Sequence, residues 1–211
     1  TEIYTILFVG ASDVYKRQLV EDKTQKQMVK SIIENHHSYV ASNDSVGRRI
    51  DWLVYHSDYT NVLGIERPIG MIGIGSSVYP PPKDILRYAG MKKDVYKENF
   101  NEFGNNWRFC MTKSIKNAGT QILKQLRKQA PIEWKKKYGD DLKWLITFVA
   151  GGNNGAVYKA DNWKQIGETA GLPKHKAVSM KWNKDDLNTM FVKPTGENKK
   201  IIFIKKLQKN S

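Results

Sequence analysis

Residues 147–171 read TFVAGGNNGAVYKADNWKQIGETAG, and an apolar run from Trp144 to Val149 leads into them. The run predicts a strand, the glycines and asparagines of residues 151–155 predict a turn, and the residues up to about Gly167 predict a short helix. A glycine-rich turn between a strand and a helix can position chemistry at the end of the strand. The candidate side chains here are Tyr158, Asp161, Asn162 and Trp163. The alternative is an ordinary strand-to-helix connection, with Trp163 in the core and Asn162 capping a turn.

The rest of the chain alternates between strand and helix patterns. Apolar runs predict further strands at residues 50–55, 69–78, 107–112, 172–181 and 200–205. Apolar residues at helical spacing predict helices at residues 21–37 and 114–130, the second closed by Pro131. Residues 84–103 are interpreted as a partly helical insertion, and residues 134–143 as a solvated surface turn. This order predicts an α/β fold with a central mixed sheet flanked by helices.

The charge balance indicates the kind of partner. Lysine and arginine total 35 against 21 acidic residues, which gives a formal net charge of +14. An excess of this size favours a polyanionic partner, and double-stranded DNA fits it best. Six Trp and ten Tyr residues offer stacking surfaces for bases. The alternative is a lysine-rich surface that has no specific partner.

Cysteine usage and hydropathy exclude other classes. The chain has one cysteine, Cys110, so it has no internal disulfide and no cysteine-based metal cluster. Cys110 lies in an apolar run, which favours a buried small side chain over a nucleophile. No apolar stretch approaches the ~20 residues that span a bilayer. We therefore expect a cytoplasmic protein with no membrane partner.

The first residues do not match the rest of the chain. Residues 12–18, SDVYKRQ, resemble a translated sequencing-adapter fragment. We therefore interpret residues 1–18 as a non-native segment and residues 19–211 as a single domain.

A histidine pair at the end of the first predicted helix is a candidate for acid-base or metal chemistry. His36 and His37 are followed by Tyr39, and imidazoles act both as proton acceptors and as metal ligands. The alternative is a pair of solvent-exposed imidazoles that interact with the helix dipole. Arg48 and Arg49, in the next loop, can meet a phosphate or a carboxylate.

Several segments together carry a resemblance to known families. They are GRRIDWLVYH at 47–56, IGIGSSVYPPPKD at 72–84, NNWRFCM at 105–111, QILKQLRK at 121–128, and the stretch 147–171. Their order is similar to the α/β plan of GNAT acetyltransferases. The segments resemble the Mom family of phage DNA-modification proteins, which have a GNAT-like fold, and the DruA family of the Druantia anti-phage system. The resemblance spans about residues 30–175, and its last motif is the most specific part.

The Mom resemblance implies transfer of a small acyl- or carbamoyl-type group to the exocyclic N6 of adenine in DNA. It implies a catalytic histidine–tyrosine pair, His37 with Tyr39 here, and an aspartate that best matches Asp161, with Asp84 as the weaker match. It also implies a metal, Fe or Zn, held by His36, His37 and Asp161. An adenine must be flipped out of the duplex before it reacts. Side chains that can stack on it, read its edge or contact the DNA are Arg48, Arg49, Asn106, Arg108, Tyr158, Asn162 and Trp163.

A second implication concerns the donor. Acyl-CoA enzymes with this plan hold pyrophosphate on backbone N–H groups at a helix start, through a Q/R-x-x-G-x-G/A turn. The corresponding segment here runs from Lys116 to Gln121, with Lys116 in the basic position and Gly119 as the matching glycine. Its last small residue is missing, which argues against coenzyme A and leaves the donor open.

Two other functions remain open. One is a DNA-binding anti-phage defence protein of the DruA type. The other is a base-flipping glycosylase or nuclease in which Asp161 or Asp84 activates water. The Mom resemblance implies a protein of the bacterial host cell that is encoded by a phage or prophage.

Overall fold

A computed structural model describes residues 15–36, 47–59, 67–150, 153–171 and 198–207. The strands in this part of the chain are β1 (Tyr15–Leu19), β2 (Arg49–His56), β3 (Gly70–Ser76), β4 (Phe103–Met111), β5 (Trp144–Ala150), β6 (Lys164–Glu168) and β7 (Lys200–Lys206). The helices are α1 (Lys23–His36), α2 (Lys83–Ala89), α3 (Lys93–Glu98), α4 (Ala118–Tyr138) and α5 (Ala156–Ala160). The strands form one sheet in the order β1-β2-β3-β4-β5-β7-β6.

The sheet is mixed, as the sequence predicted. β4 and β5 pair in parallel, and every other pair of neighbouring strands is antiparallel. The predicted strands at 50–55, 69–78, 107–112, 144–149 and 200–205 are confirmed, and so is the first helix. The strand predicted at 172–181 lies outside the described residues.

Helices cover both faces of the sheet. On one face, α4 and α5 pack on a core that includes Trp52, Ile72, Leu145 and Phe203. On the other face, α1 packs on the β2–β4 part of the sheet, and the inserted helices α2 and α3 cover the part formed by β4, β5 and β7. Strand residues alternate between these two cores, as residues in strands do when both faces are buried.

Helix α4 is longer than the sequence predicted. It continues through Pro131 to Tyr138, so Pro131 does not close it. A proline inside a helix removes one backbone hydrogen bond, but Ala130 and Trp134 on either side of it are fully buried. The interpretation of residues 134–143 as a solvated turn is therefore wrong at Trp134, whose indole N–H donates to the carbonyl of Asn101 at 3.0 Å. Burial of that indole holds the last turns of the helix in place.

Helix α5 is shorter than predicted, because the chain turns back at Asn162. Asn162 has a positive φ of 57°, and the N–H of Trp163 donates to the carbonyl of Tyr158 at 2.9 Å. Residues from Lys164 onward then form β6 rather than a continuing helix. At the start of α5, Gly155 has a φ of 68°, and a Cβ there would lie 2.3 Å from the ring of Phe203. The turn therefore requires glycine for both conformation and space.

Residues 15–19 form the edge strand β1 and pair with β2 at five positions. Arg17 is buried, and its Nε donates to Oε1 of Gln125 on α4 at 2.8 Å. This end of the segment is thus packed on the sheet and on a helix. The division at residue 18 remains a prediction. None of the helices in the described ranges is long and apolar enough to cross a membrane.

Candidate active site

The two parallel strands at the centre of the sheet separate after a short paired stretch. Pairing of β4 with β5 covers only Phe103, Gly104 and Asn105, opposite Trp144, Leu145 and Ile146. Beyond this point β4 stays paired with β3, and β5 stays paired with β7. Alternate backbone groups of β4 therefore face a gap instead of a neighbouring strand.

A β-bulge in β4 lies where the strands begin to separate. Gly73 of β3 lies opposite Arg108, and Gly75 lies opposite Asn105. Ile74 consequently faces two residues, Asn106 and Trp107. A bulge of this kind bends its strand and changes the direction of the side chains beyond it.

The gap between the strands is a cavity of about 390 Å³, which lies in the size range of small-molecule sites. β4 supplies one wall, β5 the other, and the turn with the start of α5 closes one end. The lining residues are His36, Asn106–Met111, Thr147–Val149 and Asn153–Tyr158. Among the predicted site residues, the structure thus brings His36, Asn106, Arg108 and Tyr158 together.

A buried hydrogen-bond network joins the two walls. The hydroxyl of Tyr158 donates to Oδ1 of Asn106 at 2.7 Å, and Nδ2 of Asn106 donates to the carbonyls of Gly73 and Arg108 at 2.8 and 3.1 Å. Thr147 of β5 donates from Oγ1 to the carbonyl of Asn106 at 3.1 Å. Because two carbonyls require the amide nitrogen on their side, the amide oxygen must face Tyr158. The network therefore fixes both Asn106 and the Tyr158 hydroxyl.

The charged side chains that line the cavity are basic. Arg108 lines it, and His36 reaches it from the end of α1. Lys200 begins β7 opposite Ala150, at the far end of β5. Burial and the neighbouring Arg108 lower the pKa of Lys200. Among the described residues that line the cavity, none is an aspartate or glutamate.

The start of α4 adjoins the same cavity. A Cβ on Gly119 would lie 2.4 Å from Cγ2 of Val157, and Val157 is one of the lining residues. Gly119 therefore allows the first turn of α4 to pack closely on α5. Lys116 lies exposed in the loop before the helix, and N–H groups in a first helical turn have no partner within the helix. The predicted pair Lys116 and Gly119 thus lies at a helix start beside the cavity.

Asp161 has a different environment from the one predicted. Its carboxylate accepts bonds from Nε and Nη2 of Arg127 at 2.9 and 2.6 Å, and from the indole N–H of Trp163 at 2.9 Å. The side chain is buried, and Asp161 is not among the cavity-lining residues. This arrangement joins α5 to α4 and supports a structural role.

Trp163 and Asn162 agree with the alternative interpretation of residues 147–171, in which Trp163 lies in the core and Asn162 caps a turn. Trp163 is only 3% exposed and belongs to the main core, so its ring has no face open to a base. Asn162 forms the turn after α5, and its carbonyl accepts a bond from Nζ of Lys205 at 3.0 Å. The structure does not bring either side chain to the cavity.

The arginine pair before β2 is also bound within the fold. Arg48 forms an ion pair with Asp140 and stacks on the ring of Tyr138, 4.8 Å from its centroid. Arg49 bonds Asp51 at 2.5 Å and lies 3.9 Å from the ring centroid of Trp107. Neither arginine lines the cavity.

Asp51 is a functional-site neighbour that sequence reasoning missed. It is buried, burial raises its pKa, and Arg49 opposes that shift. Its Oδ1 accepts the indole N–H of the cavity residue Trp107 at 2.9 Å. A Cβ on Gly73 would lie 2.2 Å from Oδ1 of Asp51 and 2.4 Å from Nε1 of Trp107. The sequence signal that could have identified Asp51 is a single carboxylate within the apolar run of β2.

The metal site predicted at His36, His37 and Asp161 has no counterpart in the described part of the chain. No group of three or more His, Cys, Asp or Glu side chains within it is placed to hold a metal ion. His37 and Tyr39 lie outside the described residues, so their catalytic roles remain predictions. Asp84 pairs with Arg87 and packs against Gly167, away from the cavity.

Cys110 lines the cavity as a buried thiol. It is 4% exposed, and burial raises its pKa to about 11. At pH 8 a thiol with that pKa is about one thousandth ionised, and the thiolate is the reactive form.

We expect iodoacetamide to alkylate Cys110 at least about 100-fold more slowly in the folded protein than in urea, as followed by mass spectrometry. Similar rates in the two states would contradict the burial of this thiol.

The fold can now be compared with known structures. No protein-family model matches the chain, and no curated protein sequence matches it. Solved structures do resemble it. A GNAT family acetyltransferase from Elizabethkingia anophelis with acetyl-CoA bound has a TM-score of 0.52 and 12% identity, over 92% of this chain and 99% of that one. Arabidopsis thaliana NAA60 in complex with acetyl-CoA has a TM-score of 0.55 and 11% identity, over 92% of this chain and 98% of that one. The chain therefore has a GNAT-like fold.

Proposed function

We propose that this protein is an acyltransferase that takes an acyl group from a coenzyme A thioester and transfers it to a nitrogen acceptor. The observation that carries the proposal is the cavity between β4 and β5, which opens where their pairing ends. In both solved structures above, a protein of the same fold is bound to acetyl-CoA.

The residues present fit such a donor. The sequence argued against coenzyme A because Gln121 stands where the usual pattern ends in a small residue. A helix start binds phosphate chiefly through backbone N–H groups and the helix dipole, and those features do not depend on the side chain at position 121. Lys116 adds a positive charge, and Gly119 keeps the turn close to Val157. These groups would hold the diphosphate.

The cavity walls supply the remaining functions. When bound, the thioester supplies an activated acyl group. Backbone groups of β4 beyond the bulge face the gap and can orient that acyl carbonyl. Tyr158 lines the cavity with a hydroxyl whose position Asn106 fixes. Its oxygen is a site where a proton can be held or exchanged during the reaction.

Calorimetric titration with acetyl-CoA tests the donor site. We expect micromolar binding, a loss of at least about tenfold in Gly119→Val, and a smaller loss in Lys116→Gln. The valine side chain would force the first turn of α4 away from Val157. Lys128→Gln, an exposed position farther along α4, removes the same charge and serves as the control. Absence of binding by the unmodified protein would refute the proposal.

The second candidate function is modification of adenine in DNA, in a bacterial cell that carries a phage or prophage. The net charge of +14 favours it, because cationic surfaces bind phosphate backbones. Mass spectrometry of nucleosides from cells that express the protein would show an adenine adduct. Unmodified DNA at good expression would refute this candidate and leave the acyltransferase proposal standing.

A further inference from the structure

The described surroundings of the cavity have an electrostatic bias. Arg108 lies on its wall, and its guanidinium stays near Trp107, 4.8 Å from the ring centroid. Lys200 does not line the cavity itself, but it pairs with Ala150, the residue that follows the lining residue Val149, and burial and then the neighbouring Arg108 lower its pKa. Asp51, which bonds the indole of Trp107, is paired with Arg49 and so adds little net negative charge. The described surroundings of the cavity are therefore positive.

The hydroxyl of Tyr158 supplies a hydrogen-bond partner for the amine nitrogen of an acceptor. The proton of the Tyr158 hydroxyl is committed to Asn106, whose amide orientation is fixed by Gly73 and Arg108. A hydroxyl that donates its proton in one direction offers its lone pairs in others. Tyr158 can thus accept a hydrogen bond from an N–H group, which an uncharged amine has.

An alkylammonium fits this cavity poorly. An amine with an ordinary lysine-like pKa of about 10.4 is almost fully protonated at neutral pH and must lose a proton before it attacks. Its charge would be repelled by Arg108 and Lys200, and no described carboxylate on the cavity wall would attract it. An amine of low basicity is already uncharged, and an attached anion would be attracted.

We propose that the acceptor is a weakly basic, uncharged amine carried on an anionic molecule, with the anion bound by Arg108 and Lys200 and the amine N–H bonded to Tyr158. The inference rests on the proposed function and names its acceptor class. A carboxylate and a phosphate are equally suitable anions for an arginine beside a lysine.

Three probes of matched shape test this proposal. 4-Aminobenzoate, 4-aminobenzamide and 4-aminobenzamidine share one aromatic amine and carry a negative, a neutral and a positive group. Binding to the full chain is measured by calorimetry, without a donor. We expect the benzoate to bind at least tenfold more tightly than the amidine, with the amide between them. In Arg108→Gln and Lys200→Gln this preference should fall several-fold.

Lys128→Gln is the control, because it removes the same charge from an exposed position outside the cavity. It should leave the preference unchanged, which separates binding in the cavity from attraction to the overall charge of +14. Equal binding of the three probes, tighter binding of the amidine, no binding of the benzoate, or a preference equally reduced by Lys128→Gln would each overturn the inference.

Two further probes identify the source of the anion. Deoxyadenosine monophosphate represents a small-molecule acceptor, and a short deoxyadenosine oligonucleotide represents a polymeric one. Binding of either probe that depends on Arg108 supports the inference and identifies the source of the anion.

Acetyl-CoA titration on the same samples keeps the two proposals separate. Anion preference without acetyl-CoA binding would refute the donor assignment alone, and acetyl-CoA binding with a preference for the cation would refute this inference alone.

Discussion

Replacing Asp161 with alanine will lower the free energy of unfolding by about 3 kcal/mol, because it removes the partner of a largely buried arginine. In the folded protein the carboxylate holds Arg127 through two bonds and the indole of Trp163 through a third. Arg127 keeps 27% of its side chain exposed, so water can solvate part of its charge, and we expect the lower end of the range for broken buried pairs. Urea unfolding followed by tryptophan fluorescence measures the change.

A pair of matched variants separates the structural role from a catalytic one. Asp161→Asn keeps an oxygen for the indole and should lose less stability than the alanine variant. In an Arg127→Leu background the alanine change should cost clearly less, because the arginine that it would leave unpaired is gone. If Asp161→Ala keeps full stability but loses transfer activity, the aspartate acts in catalysis, as the Mom resemblance implies.

The fold was predictable where one periodic pattern extended over a whole element. The apolar runs at residues 50–55 and 144–149 are buried strands, and the spacing of Val29, Ile32 and Ile33 defines the buried side of α1. The end of α4 was not predictable in this way. A proline normally ends a helix, but local propensity yields to tertiary packing, and here Trp134 beyond Pro131 is buried and bonds a segment more than thirty positions earlier.

The candidate site was predictable as a set of residues but not as a geometry. Asn106, Arg108 and Tyr158 were identified from short motifs, and the structure brings them to one cavity. Their meeting depends on the bulge in β4 and on the early end of the β4–β5 pairing, which leave no periodic signal in the sequence. The surroundings of Asp161 were not predictable for the same reason. Its partner Arg127 lies 34 positions away on another helix, and local spacing contains no information on that contact.

Tyr158→Phe will decrease the turnover number by about 100-fold while acetyl-CoA binding changes by less than about twofold, because the substitution removes only the hydroxyl at which the proposed function places proton exchange. Release of the coenzyme A thiol, with acetyl-CoA as donor and 4-aminobenzoate as acceptor, measures the turnover. The loss of the hydroxyl also leaves Oδ1 of Asn106 without its donor, which should cost about 1 to 2 kcal/mol of stability. The turnover must therefore be measured well below the unfolding temperature of the variant.

The control for this change is Tyr96→Phe. Tyr96 is fully buried outside the cavity, and its hydroxyl bonds Ser77 at 2.5 Å. Removal of the Tyr96 hydroxyl should cost similar stability and leave turnover nearly unchanged.

Asn106→Leu should lower turnover when Tyr158 is present. In a Tyr158→Phe background the same change should lower turnover little further, because Asn106 acts by holding the Tyr158 hydroxyl. Turnover of Tyr158→Phe above about half of the normal value would show that the hydroxyl only joins the two walls of the cavity. The proton exchange would then have to occur at another group, and His36 on the described cavity wall is the next candidate.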